Sequence, residues 1–546
     1  MNSIRNSCAC VKLSGEIKTM ITHHPSLKER LQHRIVLLAF LFTTTASFAA
    51  QDFKTTQWAP TDLVFEASAP AGAEFEVDFT ATFSGPKNSE LTVPGFYDGE
   101  DRFIVRFAPP TAGHWHYATA SSLSALDGHT GHVIAGPAAA DEPGPVQIST
   151  TDPTKFTYAN GDPYFPIAFE IDWLFAIDAE NGAGIPKTEQ LIRYVGDNGF
   201  NQIVMNVFAY DVNWPRDPNL PAEYDYGKPT VFPYGGDNTD PDFSTLNVEF
   251  FQRFDRVVKH LHEQGVIAHI MIYVWNKQVA WPEAESAADN RYFDYVVKRY
   301  QAFPNLIWDI SKEATGYGHN DRTYIVDRIE RLRALDGHDR LVTVHDYGYC
   351  NDYPETVDFI SIQNWHTEIW NKMRDVVEAH PNKPVFNIEH GGYEEGPYHV
   401  FTGNYGSPLS NLERAYLIVF AGASIAHYWQ DTSWNVVIHD IEDLPEADQP
   451  KLEYYRYMAE FIEAQGVNDL EPTMGATSSG IALSNNDDFF LHFLDAHHDA
   501  VVVRQRPGYE GGKIHLTWFD PLTGTYSETE TRDIVKWTRV HTPDPN

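Results

Sequence analysis

Short apolar runs alternate with amphipathic segments from residue 150 to about 465. The runs are rich in β-branched and aromatic residues and end at Gly, Pro, Asn or charged positions, which is typical of buried strands. Segments such as VEFFQRFDRVVKHLHEQG and NRYFDYVVKRYQAF place apolar residues at helical spacing. Eight strands with intervening helices predict an α/β fold, a (β/α)8 TIM barrel. The eight predicted strands are YFPIAFEI, FNQIVMNVFA, VIAHIMIYVW, NLIWDIS, RLVTVHD, DFISIQNW, KPVFNIEH and ASIAHYW.

Both flanks of this region read as β structure. Residues 50–145 show alternating runs such as EFEVDFTATF and DRFIVRFAP between Gly/Pro turns, which predicts an Ig-like β-sandwich before the linker AGPAAADEPGP. Residues 470–546 return to short strands and predict a smaller C-terminal β-sandwich. Within the barrel at 150–465, YGYCNDYPETV leaves room for only a short helix, and the long loop 208–246 is expected to wall a cleft.

The N-terminus carries an export pattern. The segment LKERLQHRIVLLAFLFTTTASFAAQ joins a basic stretch, an apolar run and small residues, which predicts a signal peptide over 1–49; a start at Met20 would give it ordinary length. The expected location is periplasmic or secreted, and no second long apolar run indicates membrane insertion. Cys350 is the one cysteine after the cleavage point, so no internal disulfide is expected.

The chain is strongly acidic. Its formal net charge is −36, and removal of 1–49, with six basic and two acidic residues, makes it −40. Nucleic acids and anionic membranes are therefore not expected as partners. A solvated acidic surface explains the charge, and the sequence does not indicate an oligomeric state.

Two glutamates stand at predicted strand ends. Glu313 lies in LIWDISKEATG and Glu389 in KPVFNIEHGG, each after an apolar run. The carboxyl ends of barrel strands carry catalytic groups, and two converging carboxyls are the usual equipment for cleaving a glycosidic bond. Either residue alone could equally be a solvated strand end, so the prediction rests on the pair.

Aromatic and polar residues accompany the glutamates at the other strand ends. Sugar rings stack on aromatic faces and their hydroxyls need fixed hydrogen-bond partners, although any single Trp or Tyr could as well be barrel core. The predicted substrate-binding residues are Asp172, Trp173, Asn206, Tyr273, Trp275, Lys312, His345, Asn364, Trp365, His366, His390 and Trp429.

Several histidines lie at or near strand ends, so a metal site is the obvious alternative to a site built on the two glutamates. The chain has no HExxH or closely spaced Cys/His set, so we predict no metal and no cofactor. The histidines concerned are His269, His345, His366, His390 and His427.

The motifs around Glu313 and Glu389 resemble those of clan A glycoside hydrolases, barrel enzymes that retain anomeric configuration. PGFYDGEDRFIVRFAPPTAGHWHY resembles an accessory β-domain that precedes such barrels in bacterial polysaccharide-degrading enzymes, and HLTWFDPLTGTY resembles the sandwich that follows them. The resemblance implies that Glu313 is the acid/base and Glu389 the nucleophile. The clan usually has Asn immediately before the acid/base, where this chain has Lys312.

The leading hypothesis is a retaining glycoside hydrolase that acts on a plant or algal polysaccharide or its oligosaccharides. The alternatives are a non-catalytic carbohydrate-binding protein, and a polysaccharide lyase or metal-dependent hydrolase. Lys312, Lys277 and Arg216 are the few cations placed near the strand ends. Their scarcity favours a neutral sugar at the cleavage point.

Overall fold

The computed structural model describes residues 51–319, 322–400, 405–473, 480–494, 500–504 and 512–543. The predicted signal peptide at 1–49 lies outside these residues, so its cleavage and the location of the protein stay predictions. None of the helices in the described ranges is long and apolar enough to cross a membrane.

Eight parallel strands form the central barrel, as the sequence predicts. In the sheet they lie in the order 5-4-3-2-1-8-7-6. Two backbone hydrogen bonds close the ring between strands 5 and 6. The Asp358 N–H donates to the Val342 carbonyl (2.9 Å), and the Gln363 N–H donates to the Asp346 carbonyl (3.1 Å). Barrel strands 1 to 8 are Ile167–Glu170, Gln202–Asn206, Ile267–Val274, Leu306–Lys312, Val342–His345, Ile360–Gln363, Val385–Glu389 and Ser424–His427.

Amphipathic helices form the outer layer. α2 (Val248–Glu263), for example, turns Phe251, Phe254 and Val258 inward and most of its charged residues outward, which is the pattern that its sequence predicts. The connection between strands 5 and 6 holds only the four-residue α6 (Tyr349–Asp352), as expected. The helices are α1 Pro186–Asp197, α2 Val248–Glu263, α3 Ala287–Tyr300, α4 Ala314–Tyr317, α5 Thr323–Leu335, α6 Tyr349–Asp352, α7 Ile369–Ala379, α8 Pro408–Phe420 and α9 Glu453–Ala464.

The barrel interior is packed at its lower end and polar at its upper end. A small antiparallel sheet of Val146–Ile148, Phe156–Tyr158 and Pro163–Tyr164 packs with the apolar residues that fill the lower barrel. Above it, His269 lies between Gln202 (2.9 Å) and Asp309 (3.0 Å), all three fully or almost fully buried. This hydrogen-bonded layer gives His269 a structural role below the strand ends.

The N-terminal strands form two sheets around one core. Trp115 and Tyr117 are fully buried there, and Phe83 stacks on Phe107 with ring centres 3.8 Å apart. The five-stranded sheet has Gln51–Thr56, Thr130–Gly136, Gly113–Ser121, Phe79–Ser84 and Glu90–Pro94 in that order, and the three-stranded sheet has Thr61–Glu66, Arg102–Phe107 and Phe96–Tyr97.

A buried ion network fastens this N-terminal region to the barrel. Asp255 on α2 accepts hydrogen bonds from Arg106 (3.1 Å) and from Arg299 on α3 (2.7 Å). Arg299 also donates to Asp98 at 2.9 Å. Both guanidinium groups are almost fully buried and charge-paired, so the network spans the contact of the accessory strands with α2 and α3.

The remaining strands are short. The loop after barrel strand 2 contains the hairpin Tyr234–Gly236 and Pro241–Leu246, and Tyr393–Glu394 pairs with Tyr405–Gly406 after strand 7. In its described residues, the C-terminal region forms one three-stranded sheet and three two-stranded pairs. Its strands are Glu471–Thr473, Ala482–Ser484, Phe490–His492, Ala500–Arg504, Lys513–Leu516, Phe519–Asp520, Thr525–Tyr526, Glu530–Asp533 and Trp537–His541.

Candidate active site

The backbone presents the two glutamates at the carboxyl ends of strands 4 and 7. Glu389 is the last residue of strand 7, and Glu313 directly follows strand 4. Glu313 has a left-handed backbone (φ 55°, ψ 33°), and its N–H donates to the His345 carbonyl at 2.8 Å. Such a conformation costs about 1–3 kcal/mol for a non-glycine residue and clusters at functional sites. The strained turn aims the Glu313 carboxyl into the barrel mouth.

The Glu389 carboxylate is surrounded by groups that stabilise its charged form. The Tyr393 hydroxyl donates to Oε1 at 2.8 Å, and the Lys312 ammonium lies 3.8 Å from Oε2. His345 Nε2 is 3.2 Å from Oε2 and donates in the tautomer that protonates this nitrogen. Burial, followed by the charge of Lys312, lowers the pKa of His345 to about 3, so the imidazole is neutral. These three contacts suit a carboxylate nucleophile.

Glu313 has a less stabilised charge. The residue is 4% exposed, and within the described part of the chain its carboxyl accepts one hydrogen bond, from Gln363 Nε2 at 3.1 Å. Burial, and then the charge of Glu389, raises its pKa. Burial also raises the pKa of Glu389, but Lys312 and the Tyr393 hydroxyl oppose that shift. The raised pKa of Glu313 suits a general acid, which must hold its proton.

Beneath the pair lies a buried charged cluster. The Lys312 ammonium contacts Glu170 directly and lies 3.7 Å from Asp172, while the Lys277 ammonium lies 3.3 Å from Asp172. Burial and the neighbouring Asp172 charge raise the pKa of Glu170. Burial would also raise the pKa of Asp172, but the two lysines lower it. The cluster thus brings two ammonium groups together with the carboxyl groups of Glu170, Asp172 and Glu389.

Some predicted substrate-binding residues join this centre. Asn206 donates to Asp172 at 3.2 Å, and the backbone N–H of Asn364 donates to the Glu389 carbonyl at 3.0 Å. The Trp365 side chain is partly buried, 6.0 Å from Tyr393 between ring centres. Lys312 and His345 contact the Glu389 carboxylate directly, whereas Asn206 and Trp365 reach the site through Asp172 and Tyr393.

Other predicted substrate-binding residues are part of the packed core. Trp173 and Trp429 are fully buried, and Trp429 Nε1 donates to the Glu395 carbonyl at 3.3 Å. The Tyr273 hydroxyl donates to Asp289 on α3 at 2.5 Å, so the ring fills the space between barrel and helices.

The last three predicted positions are divided between core and rim. The His390 ring is buried and His366 is exposed. The Trp275 ring packs edge-to-face against the His319 ring, with ring centres 4.2 Å apart. Their contact with substrate stays a prediction.

The sequence analysis missed two residues that contact the glutamates. Gln363 ends strand 6, and Tyr393 follows Glu389 by four residues through Gly391 and Gly392. Gly391 has φ +80°, and a Cβ there would lie 2.6 Å from Trp365. The HGGY sequence that begins after Glu389 could have predicted this contact, because only glycine fits a tight turn that brings Tyr393 back onto Glu389.

Glu313, His345 and Glu389 are also the one group in the described part of the chain with metal-binding geometry. One ligand atom from each lies within 4.8 Å of the others. Each of them already has a protein hydrogen-bond partner, and Lys312 places a positive charge beside Glu389. A second cation at this point would be repelled, so the residues fit carboxylate chemistry better than metal binding.

The overall fold is similar to that of known glycoside hydrolases. A protein of Bacteroides vulgatus ATCC 8482 described as a candidate glycoside hydrolase has 20% identity and a TM-score of 0.68 over 89% of this chain and 94% of that chain. A structure described as a glycoside hydrolase has 15% identity and a TM-score of 0.51 over 74% of this chain and 94% of that chain. No curated protein matches significantly. At these identities the likeness shows the fold.

The barrel and its glutamates at strands 4 and 7 define a glycoside hydrolase of clan A. Residues 151–471 match the model "Apiosidase-like, catalytic domain", which spans more than half of the chain. The chain belongs to this apiosidase-like family. Residues 54–122 match a further model, "Domain of unknown function (DUF5060)", within the N-terminal strands.

Proposed function

We propose that this enzyme is a retaining glycoside hydrolase acting on a plant or algal polysaccharide or its oligosaccharides. The supporting observation is the short separation of Glu313 and Glu389, whose ligand atoms lie within 4.8 Å. Carboxyl groups are about 5–5.5 Å apart in retaining enzymes and about 6.5–9.5 Å apart in inverting ones, which need room for water. The pair is therefore suited to two displacements through a covalent intermediate.

In the first displacement, a Glu389 oxygen attacks the anomeric carbon while Glu313 gives its proton to the departing glycosidic oxygen. In the second, Glu313 removes a proton from water, which attacks the anomeric carbon of the glycosyl ester and releases Glu389 as a carboxylate. Lys312, His345 and the Tyr393 hydroxyl stabilise the charge that returns to Glu389. No step needs a cofactor.

The substrate is expected to be uncharged at the cleavage point. Lys312 and Lys277 are both paired with buried carboxylates, which leaves neither free to bind a sulfate or uronate. Arg216 is likewise paired, with Asp211 and Asp225. Because the matching family is described as apiosidase-like, a terminal apiose on a plant polysaccharide is the first substrate to test.

A substrate panel tests this proposal. Aryl glycosides, apiosides, and plant and algal polysaccharides would be incubated with the wild type and with Glu313→Gln and Glu389→Gln. We expect new reducing ends with the wild type and at least 10²-fold slower release, roughly, with each variant. Binding without turnover by the wild type would indicate a carbohydrate-binding protein. An unsaturated product absorbing in the ultraviolet would indicate a lyase.

A metal-dependent hydrolase is the second candidate, because Glu313, His345 and Glu389 converge. Chelation separates the two, since a two-carboxylate mechanism keeps its activity in EDTA. We also propose periplasmic or secreted location on the basis of the export pattern at 1–49. Fractionation of cells producing the full chain, with sequencing of the mature N-terminus, tests that location.

A further inference from the structure

Two tyrosines at the barrel mouth are exposed although they lie next to a buried site. The Tyr317 side chain at the end of α4 is 57% exposed, and that of Tyr347 after strand 5 is 53% exposed. In the described part of the chain neither hydroxyl makes a hydrogen bond. Large exposed aromatic surface has a solvation cost, and next to a catalytic centre it marks a binding surface.

The chain holds these tyrosines on two connected segments. Tyr317 closes the short helix that begins directly after Glu313, and Tyr347 follows His345 by two residues. The Thr315 hydroxyl donates to Asp346 at 2.6 Å and joins the two segments. Both rings are therefore positioned by the same backbone that positions the acid/base.

The charges of the two glutamates act on both phenols. After burial, the charges of Glu313 and Glu389 raise the pKa of both phenols, and Tyr317 adds to the shift at Tyr347. Both hydroxyls thus stay protonated at neutral pH and are available as hydrogen-bond donors. A protonated phenol with an open ring face offers what a sugar ring requires.

The position relative to Glu313 identifies which part of the substrate they contact. A general acid lies beside the glycosidic oxygen that it protonates, so groups on its own turn lie on the leaving-group side. Tyr393, by contrast, is buried and donates to the nucleophile. We propose that Tyr317 and Tyr347 form the subsite for the first sugar of the leaving group, which stacks on one ring and bonds to the phenols. This inference rests on the proposed hydrolase function.

Two substrates of the same sugar test the subsite. In the natural oligosaccharide the leaving group is a sugar, whereas in the glycosyl fluoride it is a single atom that leaves the subsite empty. For Tyr317→Ala and Tyr347→Ala we expect kcat/KM on the oligosaccharide to fall about five- to tenfold. On the fluoride it should change by less than about twofold. The Phe variants should keep most of the activity, because stacking survives.

Tyr526→Ala is the matched control, since Tyr526 is 46% exposed in the C-terminal strands and should behave as wild type on both substrates. Equal losses on oligosaccharide and fluoride would overturn the subsite, because the fluoride leaves it empty. A loss on the oligosaccharide with a shifted basic limb of its kcat/KM pH profile would overturn it too and assign the tyrosines to the positioning of Glu313, since fluoride leaves without acid assistance. Unchanged kcat/KM on both would overturn it as well. Failure of the wild type to hydrolyse either substrate would instead contradict the proposed function.

Discussion

Replacing Lys312 by Met is the most informative perturbation of the charge arrangement. Met keeps most of the apolar stem and removes the ammonium, which contacts Glu170 and lies 3.7 Å from Asp172 and 3.8 Å from Glu389. The side chain is 1% exposed, so water does not replace the lost charge easily. If Lys312 keeps the nucleophile ionised, its loss must appear in catalysis as well as in stability.

The Nζ–Oε2 distance sets the magnitude. Unit charges 3.8 Å apart attract by about 4 kcal/mol at an effective dielectric constant of about 20, which bounds the loss at about 10³-fold in rate. Because some water will enter the variant, we expect kcat/KM at neutral pH to fall about 10²-fold. Removing one partner of a buried ion pair also costs about 3–5 kcal/mol of unfolding free energy.

The pH profile separates catalysis from stability. Lys312 lowers the pKa of Glu389, so its removal raises that pKa and reduces the ionised fraction at any given pH. The acidic limb of the kcat/KM profile should therefore move to higher pH, with the largest loss at low pH. Denaturant unfolding measured on the same preparations reports the stability change independently.

Lys277→Met is the matched control. It removes the same charge next to Asp172, but Lys277 lowers the pKa of Glu389 less than Lys312 does. We expect comparable destabilisation and a much smaller shift of the acidic limb. Identical profiles for the two variants would refute a specific role for Lys312. A loss of kcat/KM confined to sulfated or uronic substrates would instead indicate that Lys312 binds a charged group of the substrate.

Four further changes test the roles of individual groups. Glu389→Ala should abolish hydrolysis, and azide or formate should restore turnover of an activated substrate; retention of more than a few per cent of activity would argue against the nucleophile. Glu313→Ala should be worst for poor leaving groups, whereas an equal loss across leaving groups would indicate a structural role. Tyr393→Phe should lower kcat/KM about 10- to 100-fold by removing a bond to a charged oxygen, and an unchanged value would exclude that contact from catalysis. EDTA should leave activity unchanged, and loss reversed by a divalent ion would favour metal chemistry at Glu313, His345 and Glu389.

The barrel could be predicted because each strand is a compact β-branched run bounded by chain breakers. All eight predicted strands are present, and the short α6 lies in YGYCNDYPETV, where the sequence leaves room for only a short helix. The hairpin at 234–246 was not predicted, because its Asp- and Gly-rich sequence lacks an apolar alternation.

The contacts of Lys312 could not be predicted in the same way. Glu170 is 142 positions away in the chain, and only closure of the barrel brings its carboxylate to the ammonium. Aromatic residues at strand ends were equally ambiguous, because Trp, Tyr and Phe suit both core packing and sugar stacking. The structure buries Trp173 and Trp429 completely and exposes Tyr317 and Tyr347, which the sequence did not distinguish.

The stereochemistry of the first product tests the central claim most directly. Proton NMR spectra recorded during the first minutes of hydrolysis identify the anomer released before mutarotation. With Glu313 and Glu389 ligand atoms within 4.8 Å, we predict that the first anomer has the configuration of the substrate. Initial release of the opposite anomer would contradict the two-displacement mechanism and the role of Glu389 as nucleophile.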